Sequence, residues 1–170
     1  MEILDLYDID RRKTGRTYVR GDMVPKDSYR LIVHAAIFDQ NKLLIQQRAD
    51  EKKMGGKWDI SCGGACQSGE DSQDAIAREL YEELGLCLNF KKVRPALTIN
   101  FDVGFDDFYI INKKIDLKKL ILQKEEVKDV RIASLDEVLA MVDDGRFLSY
   151  RKSFIRLLFD LSKDPRVIEW

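Results

Sequence analysis

The chain has 170 residues, with 29 Lys and Arg against 30 Asp and Glu and a single His, for a net charge of −1. Its 45% apolar content excludes a disordered chain, and the even charge leaves no net field for a nucleic acid polymer or an anionic membrane. No apolar run approaches the roughly 18 residues of a membrane span, and three Cys are too few for a disulfide scaffold. With the acidic start Met1-Glu2-Ile3-Leu4-Asp5, this favours a reduced, cytoplasmic setting.

Residues 1–27 read as an appended hairpin, with Ile3 to Tyr7 extended, a turn near Asp10–Gly15, and Arg16 to Val19 returning. Arg30–Phe38 is an apolar strand, turned by Asp39-Gln40-Asn41 into a second strand, Lys42–Arg48. A polar loop with Gly55-Gly56 leads to a short strand, Trp58–Ser61, that stops at Gly63-Gly64. Ser72–Leu84 carries a helical pattern, with Asp71 or Ser72 to cap it and Gly85 at the left-handed C-terminal position. Ala96–Phe101, Phe108–Ile111 and Val127–Ala133 read as strands. Ser134 and Glu137 form a capping-box pattern opening a helix that ends near Asp144-Gly145. Tyr150, Phe154, Leu157, Leu158 and Leu161 share a face of a last helix that ends before Pro165. Strands first, with helices interleaved and then trailing, give a mixed α/β or α+β sheet covered by helices. No repeat or linker divides the chain, so one domain over residues 1–170 is expected.

The chemistry concentrates on the first helix. At about 3.6 residues per turn, Ala77, Leu80 and Leu84 fall on one side, while Glu79, Glu82 and Glu83 fall together on the other. Like charges at these spacings repel, and two of them lie in the last turn, where the helix dipole favours cations. A solvated acidic face is one reading of such a cluster. A bound divalent cation is the other, and hard Mg²⁺ or Mn²⁺ prefers oxygen ligands.

The surrounding residues extend the pattern: Gly64, Glu70, then Arg78-Glu79-Leu80-Tyr81-Glu82-Glu83-Leu84-Gly85-Leu86. This fits Gly-x5-Glu-x7-Arg-Glu-U-x-Glu-Glu-x-Gly-U, with U a bulky aliphatic residue, at every specified position. It resembles the signature of the Nudix hydrolases. The resemblance implies an α/β/α sandwich with a mixed sheet, here over residues 28–161, preceded by the hairpin extension. It implies hydrolysis of a diphosphate bond in a nucleoside diphosphate linked to another moiety, with Mg²⁺ or Mn²⁺ as cofactor. Carried over by position, Glu79, Glu82 and Glu83 are metal ligands with the Gly63 carbonyl, and Arg78 is an orienting residue held by Glu70 or Glu82. The general base is one of the three glutamates or a later one, for which Glu126 is the candidate. Arg48, Lys52, Lys53 and Lys57 precede the box and could meet substrate phosphates; Arg48, Lys57 and Glu70 are taken as the substrate-binding set.

Two runs, Leu44–Ala49 and Gly56–Ser61, are similar to the Nudix branch that includes isopentenyl-diphosphate isomerase. That enzyme has Cys-Gly-His entering the box, where this chain has Cys62-Gly63-Gly64. Isomerisation of isopentenyl diphosphate is therefore one alternative function, and a non-catalytic nucleotide-binding module of the same fold is another. Cys62 is expected as a small loop residue, Cys66 and Cys87 as packing residues, and His34 as a core or strand-face histidine. Trp58 could stack on a base or close the core. Phe101, Phe105, Phe108 and Tyr109 could line a substrate pocket or fill the core. The hairpin could pair or swap across a homodimer, although no residue demands it.

Overall fold

In the computed structural model, residues 2–165 are described. The strands are β1 (Ile3–Tyr7), β2 (Lys13–Val19), β3 (Arg30–Asp39), β4 (Lys42–Arg48), β5 (Trp58–Ile60), β6 (Cys62–Ala65), β7 (Leu97–Phe101), β8 (Gly104–Asn112) and β9 (Val127–Ala133). The helices are α1 (Ser72–Leu84), α2 (Leu135–Asp143) and α3 (Lys152–Lys163). A seven-stranded sheet runs β5-β4-β3-β8-β7, with β6 added to β3 and β9 to β4. Only β3 and β8 pair in parallel, so the sheet is mixed.

Strand β3 organises both layers because its side chains alternate across the sheet. Val33, Ala35 and Ile37 meet Ile76, Leu80 and Leu84 of α1 on one face. Ala36 and Phe38 meet Leu158 and Phe159 of α3 and Val138 of α2 on the other. The fold is thus a mixed sheet between helical layers, as expected.

Where β3 and β4 part, β5 and β6 fill the gap: β5 pairs β4, while β6 pairs the first half of β3. Ser61 sits at the switch, its Oγ accepting from Ile37 N (2.8 Å) and donating to the Leu44 carbonyl (2.6 Å). The expected stop at Gly63-Gly64 is therefore a change of partner, and the extended chain continues to Ala65.

Other boundaries also differ from the sequence pattern. The hairpin turn is tighter, since β2 already begins at Lys13, and β8 starts at Gly104 rather than Phe108. Helix α3 begins after Tyr150, and its buried face is Ile155, Leu158, Phe159 and Leu161, leaving Leu157 exposed. Phe105, Phe108 and Tyr109 are buried in the core, whereas Cys87 is exposed and does not pack. Trp58 is half-buried against the α2–α3 core, with the Arg131 guanidinium 5.0 Å from its ring centroid.

The β1–β2 hairpin forms its own sheet and docks on this chain through Leu4, Leu6 and Tyr18, which pack with Ala65. Backbone bonds between Tyr7 and Tyr29, and from Ser68 N to the Ile3 carbonyl (2.8 Å), fix it beside the loop that enters α1.

Candidate active site

Helix α1 starts with a full capping box: Asp71 accepts from Gln73 N and Asp74 N, and Asp74 accepts from Asp71 N. It ends at Gly85 in the left-handed conformation (φ 67°), whose N–H closes the last turn. Between these caps the burial differs from the simple two-sided wheel. Glu79 and Glu83 are buried alongside Leu80 and Leu84, and only Glu82 stays exposed. The acidic face is therefore turned against the edge of the sheet rather than into solvent.

Gly64 makes that approach sterically feasible, and its neighbour Gly63 leaves room for the ring of His34 on β3. A Cβ on Gly64 would lie 2.0 Å from Glu79 Oε1, and one on Gly63 would lie 2.1 Å from the His34 ring. Any other residue at either position would displace these groups. His34 is a strand-face residue as expected, bonded through Nδ1 to Asp106 (2.7 Å) and stacked on Phe108.

Arg78 is the hub of the cluster. Its Nε and Nη2 donate to the two oxygens of Glu70 (2.6 and 3.0 Å), and Nη1 donates to Glu79 (2.9 Å) and Glu82 (3.0 Å). Nη2 also donates to the Ala65 carbonyl (3.0 Å). This bidentate use of the guanidinium is geometry that a lysine cannot supply. Arg78 is thus held by both carboxylates named for it from the sequence. Glu70 also accepts from Gln67 N, so its oxygens serve the loop and the arginine rather than facing the cleft.

The glutamates differ in environment. Burial pushes the Glu83 carboxyl up to about 7, opposed by hydrogen bonds from Cys62 and from Gln46 Nε2 (3.3 Å) and reinforced by the charge of Glu79. Burial also raises Glu79, with Arg78 working against it. The Cys62 thiol is fully buried beside Glu83 and is held well above the ordinary range, first by burial, so it is protonated. The carbonyl oxygen of the buried Gln46 side chain has no protein partner among the described residues.

Glu126 reaches the same place from a distant part of the chain. The segment before β9 docks on the open end of α1, where Ile121 N and Gln123 N donate to the Leu84 and Glu83 carbonyls (3.1 and 3.2 Å). These bonds satisfy acceptors that a helix C-terminus leaves unpaired. Glu126 is then anchored by its carbonyl to Ala49 N (2.9 Å), and its carboxylate is paired with Lys52 (2.6 Å).

Together Gly63, Gly64, Arg78, Glu79, Glu82, Glu83, Gln123 and Glu126 line a small cavity of about 70 Å³, joined by Glu2 and Arg20 from the hairpin. That space accepts an ion with a few waters or phosphate oxygens, but not a nucleoside. Arg48 and Lys57 are not part of the lining. Arg48 is drawn instead to the Lys53 carbonyl (3.1 Å) and Asp59 (3.4 Å), and Lys57 sits half-buried at the entry to β5. Glu2, Arg20, Gln46 and Gln123 were not legible as site residues, because none belongs to a local pattern and only the tertiary fold brings them in.

Among the described residues, no three acidic, Cys or His side chains converge as metal ligands in this arrangement. Arg78 draws Glu79 and Glu82 to itself, and Lys52 draws Glu126 away. The donor set still fits a hard divalent cation, since every acidic group bordering the cavity offers oxygen and two of the carboxylates are buried in it. Buried carboxylates are costly to keep ionised, which is the first cause of the raised Glu83 and Glu79; Arg78 offsets part of that cost for Glu79, while Glu83 has no cation beside it among the described residues.

A family model for the NUDIX domain matches residues 28–156. An uncharacterised Nudix hydrolase of Listeria monocytogenes is 38% identical over 163 residues, which cover 95% of each chain. The isopentenyl-diphosphate Delta-isomerase of Pectobacterium atrosepticum is 32% identical over 104 residues, 60% of this chain and 56% of that one. Among solved structures, DR0079 from Deinococcus radiodurans superposes with a TM-score of 0.71 at 23% identity, covering 92% of this chain and 97% of that chain.

Proposed function

Because the chain belongs to the Nudix hydrolase family, whose members generally break pyrophosphate bonds, we propose that it hydrolyses a nucleoside diphosphate linked to another moiety, using Mg²⁺ or Mn²⁺. The observation that carries this reading is the shared lining of one small cavity by Glu79, Glu82, Glu83, Glu126 and Gly63. Glu79, Glu82 and Glu83, with the Gly63 carbonyl, would hold the ion. Once bound, it would neutralise diphosphate oxygens and acidify a water.

The remaining work belongs to the chain's own groups. Arg78 fixes the direction of Glu79 and Glu82 while leaving the cavity side of α1 acidic. The proton of the attacking water passes to a carboxylate of this set, and the buried Glu83 and Glu126, a third exposed, are the two suited to take it. Because the cavity is too small for a nucleoside, that part of the substrate would lie beyond it, across the Gly63 side where His34 and Asp106 sit.

The test is a panel of nucleoside diphosphate derivatives, dinucleoside polyphosphates and isopentenyl diphosphate, assayed with Mg²⁺ and with Mn²⁺. Hydrolysis should be lost in the Glu82→Gln, Glu83→Gln double variant; undiminished hydrolysis in that variant would sink the metal-site assignment. Isomerisation of isopentenyl diphosphate abolished by Cys62→Ala would instead select the isomerase reading. Nucleotide binding with no turnover under either metal would select the non-catalytic module.

A further inference from the structure

The hairpin that precedes the matched family region carries a charge into the cavity. The β1–β2 ladder ends with Ile3 opposite Val19, and the next backbone bond, Arg20 N to the Glu2 carbonyl (2.9 Å), holds the two residues side by side. Their side chains pair as well, with Arg20 Nη1 donating to Glu2 Oε2 at 2.6 Å, and both line the acidic cavity. This placement is enforced rather than incidental. The hairpin is packed through Leu4, Leu6 and Tyr18, and it is tied to the loop before α1 by Asp5, which accepts from Ser68 Oγ (2.7 Å) and Gly69 N (3.0 Å).

The charges at this point are uneven. Arg78 is committed to five oxygens of the loop and helix, and Lys52 is committed to Glu126. Arg48 and Lys57 lie outside the lining. That leaves Arg20 as the cation of the lining whose side-chain partner among the described residues is one exposed carboxylate, and its own side chain is 44% exposed at the mouth. Burial works against its charge, but the bond to Glu2 and the fields of Glu2, Glu79 and Glu126 outweigh that and keep it protonated. An exposed Arg–Glu pair is worth little, so exchanging Glu2 for a diphosphate costs little, and a guanidinium matches phosphate oxygens in two-pronged fashion.

Building on the hydrolase reading, we infer that Arg20 is a substrate-binding residue that grips the diphosphate, with Glu2 as the counter-ion it releases when substrate arrives. The hairpin is then part of the site rather than an appendage, and it selects substrates that present an anionic phosphate on the β6 side of the cavity.

The test uses the full chain and methylenediphosphonate, a diphosphate that cannot be hydrolysed, titrated by calorimetry in the presence of Mg²⁺. Arg20→Ala should weaken its binding by about tenfold or more, the scale of one lost hydrogen bond to a charged group. Arg20→Lys should fall between, added guanidinium ion should restore part of the loss in Arg20→Ala, and Glu2→Gln should tighten binding. Mn²⁺ affinity, read by electron paramagnetic resonance without the probe, should be equal or tighter in Arg20→Ala, because a positive charge has left an acidic cavity. Unchanged probe binding in Arg20→Ala, no probe binding by the wild type, or weaker Mn²⁺ binding would each overturn the assignment. In turnover assays the effect should appear in KM more than in kcat. The two readings fail separately: activity that survives Glu82→Gln, Glu83→Gln refutes the hydrolase site whatever Arg20 does. Activity lost there with KM unmoved in Arg20→Ala refutes Arg20 alone.

Discussion

Arg78 ties the loop before α1 to the acidic face of the helix, and its replacement by Ala should cost about 3 kcal/mol of stability in metal-free protein at pH 7.5. Its guanidinium makes bonds to Glu70, Glu79, Glu82 and the Ala65 carbonyl, and its side chain is 19% exposed. The Glu82 arm contributes little, about half a kcal/mol or less, because that carboxylate is 44% exposed and the pair is a helical i, i+4 contact. The bidentate pair with Glu70 and the bond to the buried Glu79 carry the rest, at about 1.5–3 kcal/mol for a hydrogen bond to a charged group, not fully additive. Breaking a buried pair costs about 3–5 kcal/mol, and the partial solvation here argues for the low end. For a chain of this size that is a fall in Tm of about 6–12 °C. Urea unfolding in EDTA measures it. The penalty should shrink at low pH, since Arg78 lowers the pKa of Glu79 and its loss raises it. An acid raised in the folded state destabilises as pH climbs through its unfolded value, so the cost should be small below about pH 4.5 and grow above it. Arg78→Lys should recover less than half of the loss. A cost below about 1 kcal/mol for Arg78→Ala, or full recovery by Lys, would refute the hub assignment.

Gly64→Ala should cut hydrolysis by about 100-fold, since the added Cβ would fall 2.0 Å from Glu79 Oε1 and a shift of about 1 Å in a catalytic group has that effect. Activity within a few-fold of wild type would mean that Glu79 is not held at Gly64 during turnover. In metal-free protein, the Glu83 carboxyl, raised from its ordinary 4.5 to about 7, should make stability fall as pH rises through that window. The folded state keeps a proton there that the unfolded state has lost; Glu83→Gln should abolish up to about 3 kcal/mol of that slope, and an unchanged slope would place Glu83 in water. Cys62→Ala should leave hydrolysis nearly intact because the thiol is buried and protonated. A loss of about 100-fold, the scale of a general acid or base, would make the thiol a participant in the chemistry.

What the sequence showed most clearly was local. The cap at Asp71 or Ser72, which the structure assigns to Asp71, the left-handed Gly85 and the Glu79, Glu82, Glu83 spacing all depend on residues within or beside one helix, and the structure keeps each of them. What it could not show was long-range. A helical wheel puts Glu79 and Glu83 on the side away from Ala77, Leu80 and Leu84, because it knows the helix but not Gly64 on β6, whose missing side chain admits Glu79. Arg48 and Lys57 looked like phosphate ligands because they precede the box, yet Asp59, eleven residues after Arg48, claims the first of them. Arg20 belongs to no motif, and its place depends on a hairpin register and on the packing of Leu4 and Leu6.

The near-equality of acids and bases in the composition has a spatial counterpart. Every acid bordering the cavity, Glu83 apart, is met by a cation in the metal-free protein: Glu79 and Glu82 by Arg78, Glu126 by Lys52, Glu2 by Arg20. Folding therefore does not need a metal to hold the acidic cluster together, which such a set of like charges would otherwise require. The exception is informative. Glu83 is the most deeply buried of the set, its partners are the neutral Cys62 and Gln46, and it escapes the cost of an unpaired charge by a raised pKa. A divalent ion entering the cavity would favour the ionised form of Glu83 and compete with the side-chain cations for the rest. Metal binding should then release a proton. Proton release on Mn²⁺ addition near pH 6.5, absent in Glu83→Gln, is the measurable sign of that exchange.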